Sequence, residues 1–117
     1  MGLTLTVPYP PSVNSLWRAG RGRVYRSKKY NTWQDLCFLE LSKQECPPTF
    51  TVPVSVELSV GRPDNRKRDL DNLIKPVFDI LQKAEILEDD SLVHRILSFW
   101  STDHQNIQIE IFPVANQ

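Results

Sequence analysis

The chain has 117 residues, which is enough for one domain of ordinary size and too few for two. Hydrophobic residues make up 40% and charged residues 24%, a balance typical of soluble globular proteins that argues against disorder. No apolar run approaches the ~20 residues of a membrane helix. The uncharged, proline-containing start lacks the basic and apolar regions of a secretory signal. We therefore expect one domain over residues 1–117, located in the cytoplasm and without a membrane partner.

The formal net charge is zero, but the basic residues are unevenly distributed. Ten of the 14 lie in two short stretches, Arg18, Arg21, Arg23, Arg26, Lys28 and Lys29 in the first and Arg62, Arg66, Lys67 and Arg68 in the second. Acidic residues dominate after Asp69. This distribution predicts a positive groove for nucleic acid beside a negatively charged pocket.

The first predicted element is a strand over Leu3–Val7, in which apolar and polar residues alternate. The first six residues also fit an N-myristoylation pattern, but the alternation makes a strand our preferred interpretation. Residues 8–26, rich in Pro, Gly and Arg, predict a long connection. Loops of this length in a small domain are often functional.

A helix is predicted from Lys28 to about Gln44, with Ser27 as a candidate N-cap and two prolines soon after its end. The next segment, Val52–Val60, has valine or leucine at every second position. That period predicts a strand with one packed face, and it places Val52 on that face.

The segment Leu70–Ala84 predicts the second helix, because its apolar residues recur at helical spacing. Pro76 leaves two possibilities, a kink or a helix that begins only near Leu73. Strands at Leu92–Trp100 and Ile107–Phe112 complete the chain. The order β-α-β-α-β-β favours an α+β fold, a four-stranded mixed sheet with two helices packed on one face.

The cysteines and the aromatic residues beside the first basic stretch are given structural interpretations. Cys37 and Cys46 lack metal-ligand spacing, and a helical path would hold them beyond disulfide reach, so we expect free thiols. Tyr25, Tyr30 and Trp33 could stack on the bases of a nucleic acid. For Tyr30 and Trp33 we favour burial in the core, because they share a helical stripe.

The stretch 61–75 carries the strongest chemical signal. A strand ends, a basic turn (Arg66–Arg68) follows, and a helix opens with Asp69 and Asp71 in a D-x-D pattern. An aspartate at a helix start is most often a cap when it stands alone. Here the basic residues can hold phosphate, the acids can hold a hard cation, and Lys75 lies one turn beyond Asp71. Together they indicate phosphoryl-transfer chemistry.

A further acidic group, Glu88-Asp89-Asp90, lies in the turn between the second helix and the third strand of the predicted sheet. Judged by its spacing alone, this acidic group is equally consistent with a solvated turn and with part of a site. Because the chain must return here from the helix to the sheet, one of these carboxylates could reach the acidic pocket.

Four motifs occur in order along the chain: Val7–Asn14, Arg62–Asp64, Arg68–Lys75 and Glu88–Ser91. Together they resemble the RusA family of Holliday-junction resolvases. The block R-D-x-D-N-x-x-K with a downstream E-D-D is specific, and the resemblance runs over essentially the whole chain. The Gly- and Arg-rich segment Ala19–Arg26 is particular to this sequence.

The resemblance implies a small homodimeric endonuclease of bacterial or phage origin that nicks four-way junction DNA with Mg²⁺. The family's metal-binding aspartates match Asp69, Asp71 and Asp90, and whether Asp89 shares the role of Asp90 is left open. The expected catalytic residues are Asp69, Asp71, Asn72, Lys75 and Asp90.

The residues themselves agree with that chemistry. Carboxylate ligands with no nearby His or Cys suit Mg²⁺, with Mn²⁺ as a substitute, and argue against zinc. No small-molecule cofactor is expected. The residues expected to contact DNA are Arg66, Lys67, Arg68, Arg18, Arg21, Arg23, Arg26, Lys28 and Lys29.

A resolvase would make paired symmetric nicks by attack of metal-activated water. There are two alternatives to this function. One is a catalytically inactive junction- or phosphate-binding module of prophage origin. The other is a different Mg²⁺-dependent phosphotransfer enzyme, which is disfavoured because the chain has no GxxxxGK[ST] phosphate loop.

Overall fold

The computed structural model describes residues 2–10, 17–20, 23–26, 28–45, 48–62 and 70–114, and of 17–20 and 23–26 it describes the backbone. The helices and strands are β1 (Leu3–Val7), β2 (Trp17–Gly20), β3 (Arg23–Arg26), α1 (Lys28–Ser42), β4 (Val54–Gly61), α2 (Ile74–Lys83), β5 (Val93–Ser101) and β6 (Ile107–Pro113). Short 3-10 turns, Leu70–Leu73 and Asp90–Leu92, precede α2 and β5. None of the helices within these ranges is long and apolar enough to cross a membrane.

Four strands form the main sheet, in the order β1-β6-β4-β5. β4 and β5 run parallel, whereas β6 is antiparallel to both β1 and β4. The parallel pair is joined through α2, as a parallel connection requires a crossover. The mixed sheet, its two helices and the order β-α-β-α-β-β of the main elements confirm the predicted α+β fold.

The core lies between one face of this sheet and the two α-helices. Alternate residues of three strands are buried there: Leu5, Val7, Val54, Val56, Leu58, Val60, Ile107, Ile109 and Ile111. Trp33 and Cys37 of α1 and Val77 and Leu81 of α2 belong to the same cluster. Because both helices pack against one face of the sheet, the other face carries the polar residues of the alternating pattern.

The sequence predicted residues 8–26 to be a long connection. In the structure they contain a second, two-stranded sheet. Its strands β2 and β3 pair antiparallel, with Trp17 opposite Arg26 and Gly20 opposite Arg23. Each strand has only four residues and carries arginine, so neither shows the alternation from which a strand is predicted.

Two predicted element ends are also corrected. β4 begins at Val54, and Val52, predicted on the packed face, is 45% exposed. α1 ends at Ser42 rather than near Gln44. Gln44 instead bonds the backbone of β1, accepting from the amide of Thr6 at 2.9 Å and donating to its carbonyl at 2.8 Å.

The second helix begins at the later of the two predicted positions, and this start accommodates Pro76. The residues from Leu70 to Leu73 form a 3-10 turn, and regular α-helix begins at Ile74. Pro76 is then the third residue of α2, where a backbone amide has no partner within the helix. The helix therefore loses no hydrogen bond to the proline.

The thiol of Cys37 is free and buried, in agreement with the prediction, whereas Cys46 lies outside the described residues. Burial raises the pKa of the Cys37 thiol to about 12. A thiol with that pKa is protonated at neutral pH, so Cys37 acts as a small apolar core residue rather than a nucleophile.

Candidate active site

The 3-10 turn before α2 presents the described part of the D-x-D motif. Leu73 is 1% exposed and anchors the turn in the core, whereas Asp71 and Asn72 are exposed. The sequence predicted Asp71 in the first turn of an α-helix, but it lies in the preceding 3-10 turn because Pro76 delays the α-helix. Asp69, expected at or near the N-cap of that helix, lies outside the described residues.

In the acidic turn before β5, the neighbouring residues Asp89 and Asp90 differ in their hydrogen bonding. Oδ2 of Asp89 accepts a hydrogen bond from the amide of Ser91 at 2.9 Å and so caps the short 3-10 turn. Hydrogen bonding from Ser91 lowers the pKa of Asp89 below its ordinary value. Asp90 is exposed, and no bond within the described part of the chain engages its carboxylate. Asp90 is therefore the better candidate for an external ligand.

Both groups of acids adjoin the same strand. The 3-10 turn with Asp71 packs against β5, and Asp90 lies three residues before β5 begins at Val93. Among the described residues alone, no three His, Cys, Asp or Glu side chains form a group that could hold a metal ion. The predicted triad includes Asp69, which lies outside them. The exposed carboxylates of Asp71 and Asp90 are hard oxygen donors, which fit Mg²⁺ or Mn²⁺.

Lys75 forms an ion pair with Asp79, and a hydrogen bond from Tyr30 to Asp79 links the two α-helices. Its ammonium Nζ lies 3.7 Å from Oδ2 of Asp79, one turn further along α2. The same oxygen accepts a hydrogen bond from the hydroxyl of Tyr30 on α1 at 3.2 Å. Tyr30 is fully buried, and the side chain of Asp79 is 20% exposed, whereas that of Lys75 is 72% exposed. A buried hydroxyl thus fixes the carboxylate that faces an exposed cation.

The start of the second basic stretch is packed against the sheet. The Arg62 guanidinium lies 5.0 Å from the centre of the Trp100 ring, a cation–π distance, and the Arg62 amide donates to the carbonyl of Ser101 at 3.2 Å. Gly61 comes so close to the turn before β6 that a Cβ there would collide with the carbonyl of His104. These contacts fix the direction in which the chain leaves β4.

The other predicted DNA-contacting residues are only partly described. Lys28 and Lys29 are exposed in the first turn of α1. Arg18, Arg23 and Arg26 lie on the β2–β3 hairpin, of which the backbone is described. Arg21, Arg66, Lys67 and Arg68 lie outside the described residues.

The aromatic residues of α1 belong to the core, as the sequence predicted. Tyr30 is 0% and Trp33 2% exposed, and their rings meet edge to face with centroids 5.9 Å apart. The Trp33 indole donates to the carbonyl of Pro8 at 2.9 Å. These two rings therefore hold α1 in place and are not available for stacking on bases.

Sequence reasoning missed Asp79 as a partner of Lys75. A signal was present, because residues four apart on a helix face one another and Asp79 follows Lys75 at that spacing. The bond from Tyr30 to Asp79 joins residues 49 positions apart, and no spacing rule predicts such a contact.

The chain matches known proteins over nearly its whole length. Residues 8–112 match the family model described as Endodeoxyribonuclease RusA. Over 116 residues, the chain is 31% identical to proteins named crossover junction endodeoxyribonuclease RusA from Escherichia coli (strain K12) and Shigella sonnei (strain Ss046), with 97% of each chain covered. The similarly named protein of Enterobacteria phage 82 is 31% identical over 115 residues, covering 97% of this chain and 96% of the relative. The chain therefore belongs to the RusA family of endodeoxyribonucleases.

Proposed function

We propose that this protein is a Mg²⁺-dependent, structure-selective endonuclease that resolves four-way DNA junctions by paired symmetric nicks. Membership of the RusA family carries this proposal, and relatives from bacteria and from a phage bear the name crossover junction endodeoxyribonuclease. The exposed acids beside β5 supply the chemistry that such a nuclease needs. The enzyme would act in the cytoplasm of a bacterial or phage-infected cell, where its DNA substrate lies.

The residues that would hold the metal ion are Asp69, Asp71 and Asp90. Family membership implies a divalent-metal requirement in general, and the oxygen donors favour Mg²⁺, with Mn²⁺ as a substitute. When bound, a divalent ion acidifies water and neutralises charge that develops on the phosphodiester. Three carboxylates grouped without a cation would repel one another, so binding also relieves their mutual repulsion.

Two neighbouring residues would assist. The Lys75 ammonium would stabilise negative charge on a phosphate oxygen or on the leaving group. Asp79 keeps that ammonium on one side of α2, where its side chain shares an oxygen with Tyr30. The Asn72 amide offers both a donor and an acceptor, with which it would orient a water molecule or a carboxylate.

The basic residues would bind the phosphate backbone of the junction. The segment with Arg66, Lys67 and Arg68 is bracketed by Arg62, which is held against Trp100, and by the acidic 3-10 turn. Lys28 and Lys29, exposed on α1, and the four arginines of residues 18–26 would add a second set of contacts. Contacts of this kind set affinity and position rather than sequence choice.

A four-way junction has two-fold symmetry, and resolving it requires nicks in two opposed strands. One 13.5 kDa subunit with one acidic site makes one cut. Two copies related by a two-fold axis provide the second cut with a single self-complementary interface. We therefore propose a homodimer whose acidic sites open toward the same face of the DNA.

The direct test compares a synthetic four-way junction with a linear duplex of the same sequence, each with and without Mg²⁺. The proposal expects paired nicks in the junction with Mg²⁺ alone and none in the duplex. Junction binding without cleavage under any divalent ion would support the inactive binding module instead. Equal cleavage of junction and duplex would contradict structure selectivity.

A further inference from the structure

Two arginines with described side chains, Arg62 and Arg95, have different partners. The Arg95 guanidinium on β5 lies 3.3 Å from Oε2 of Glu57 and donates to Ser55 Oγ at 3.0 Å, so its charge is balanced within the fold. The Arg62 guanidinium instead lies over the Trp100 ring, 5.0 Å from its centre. Within the described ranges, Arg62 forms no ion pair with a carboxylate. Of the two arginines, Arg62 is therefore the candidate for binding an external anion.

Trp100 is a fixed support for the Arg62 side chain. Trp100 is in register with Val60, a buried residue of the helix-covered face, and it packs against the core from a partly buried position. The amide of Arg62 donates to the carbonyl of Ser101 at 3.2 Å, which holds the backbone of Arg62 beside the end of β5. The ring and the backbone bond together restrict the directions in which the guanidinium can point.

Contact with a ring leaves arginine able to bind an oxygen ligand. The attraction between a guanidinium and a ring face is electrostatic and needs no hydrogen-bond acceptor. The N–H donors of Arg62 are therefore left for other partners, and the side chain is exposed to solvent. The fork of a guanidinium matches the oxygens of a phosphate, and a side chain that is already held in place loses less freedom when it binds.

Arg62 lies on the same side of the sheet as the acidic 3-10 turn, Leu70–Leu73. Side chains two residues apart along an extended chain point to the same side, and Arg62 follows the buried Val60 by two residues. Trp100, in register with Val60, lies on that side as well. The 3-10 turn packs against β5 and is anchored in the same core. A phosphate held by Arg62 would lie on the side of the sheet that carries this turn.

We propose that Trp100 positions Arg62 as a contact to the phosphate backbone of the bound DNA. The residues expected from the sequence to contact DNA do not include Arg62 or Trp100. In the sequence Arg62 opens the second basic stretch, which favours a polyanion over an isolated small anion as the ligand. The proposal rests on the proposed function in one respect, because it takes four-way-junction DNA as that polyanion.

The first test measures binding of a four-way junction to the full chain at several salt concentrations, without Mg²⁺ so that the DNA is not cut. Arg62→Ala should weaken binding on the order of tenfold and lower the slope of log affinity against log salt by about one unit. Arg95→Ala is the matched control, because Glu57 already balances its charge, and it should change neither quantity. An unaltered slope in Arg62→Ala would overturn the phosphate contact.

The second test asks whether Trp100 acts through Arg62. Trp100→Leu should weaken binding by about two- to fivefold when Arg62 is present. Added to Arg62→Ala, the same change should have no further effect. Trp100→Phe keeps a ring beneath the guanidinium and should restore binding to within about twofold of the wild type. Phe99→Leu removes the neighbouring exposed ring and should bind as the wild type does.

Equal losses from Trp100→Leu with and without Arg62 would show that Trp100 supports the fold or contacts DNA by itself, and would overturn its positioning role. Failure of the proposed function has a different signature. A protein that binds junctions with these dependences but does not cut them with Mg²⁺ would count against the proposed function alone. A protein that cuts junctions, but whose Arg62→Ala variant keeps the wild-type slope, would count against the phosphate contact alone.

Discussion

The hydroxyl of Tyr30 donates to Oδ2 of Asp79 at 3.2 Å, which joins a fully buried residue of α1 to a carboxylate of α2. The same oxygen lies 3.7 Å from Nζ of Lys75. The core thereby limits where this ammonium lies, although the side chain of Lys75 is 72% exposed. This gives Asp79 a positioning role in any reaction that uses Lys75.

Asp79→Asn should lower the rate of junction cleavage at saturating DNA by up to about fivefold, because an ion pair with one exposed partner contributes up to ~1 kcal/mol. Junction affinity should not change, and Lys75→Ala should lower the rate further. Single-turnover cleavage and equilibrium binding separate the two effects. Glu40→Gln breaks a more exposed pair with Lys43, at 3.4 Å, and should leave both quantities unchanged. Equal rates for Asp79→Asn and the wild type would remove Asp79 from this role.

Asp89 and Asp90 should differ sharply when each is changed to asparagine. Asp90→Asn should abolish cleavage while junction binding persists, because it removes a proposed metal ligand and leaves the basic residues intact. Asp89→Asn should cut at nearly the wild-type rate, because asparagine also accepts the hydrogen bond from the Ser91 amide. Cleavage assays with both variants decide the matter, and equal losses would leave the third ligand unassigned.

Substituting Arg66, Lys67 and Arg68 together with alanine should act on affinity. Each lost phosphate contact should reduce the slope of log affinity against log salt by about one unit. Titrations of a junction at several salt concentrations measure that slope. Lys43→Ala, which removes an exposed cation just after the end of α1, is the control and should leave it unchanged. An unaltered slope in the triple variant would show that these three residues do not contact DNA.

Gly61→Ala should destabilise the fold by about 1–3 kcal/mol, the usual cost of forcing an atom into a packed site. The added Cβ would collide with the backbone at His104 and Gln105, which cannot move without shifting the turn before β6. Gly2→Ala is the matched control, because its nearest new neighbour is 3.7 Å away. Urea unfolding midpoints compare the two, and equal midpoints would show that the turn yields easily.

Most of the main sheet was predictable because its strands alternate cleanly, as in β6, where Ile107, Ile109 and Ile111 are buried. The β2–β3 hairpin was not, because strands of four residues with arginine carry no periodic signal. The start of α2 was predictable only as one of two possibilities. Propensity rules state that Pro76 disturbs a helix, and both a kink and a later start satisfy them. In the structure α2 begins at Ile74, the later start.

The candidate site was predictable as a set of residues rather than as a geometry. The motif spacing predicted Asp71, Asn72 and Lys75 as site residues, and the family resemblance predicted Asp90 but left open whether Asp89 shares its role. That distinction depends on a single hydrogen bond, the one from the Ser91 amide to Asp89. The partner of Lys75 likewise depends on how α1 packs against α2, through Tyr30. Tertiary contacts of this kind leave no local pattern in the sequence.

The measurement that tests the central claim most directly follows a supercoiled cruciform plasmid cut by mixed dimers. Wild-type subunits are mixed with an excess of Asp71→Asn subunits and allowed to exchange before Mg²⁺ is added. If each subunit makes one cut through its own acidic site, wild-type dimers linearise the plasmid, whereas mixed dimers nick one strand and accumulate open circles. Linear product from mixed dimers at the wild-type rate would contradict the account.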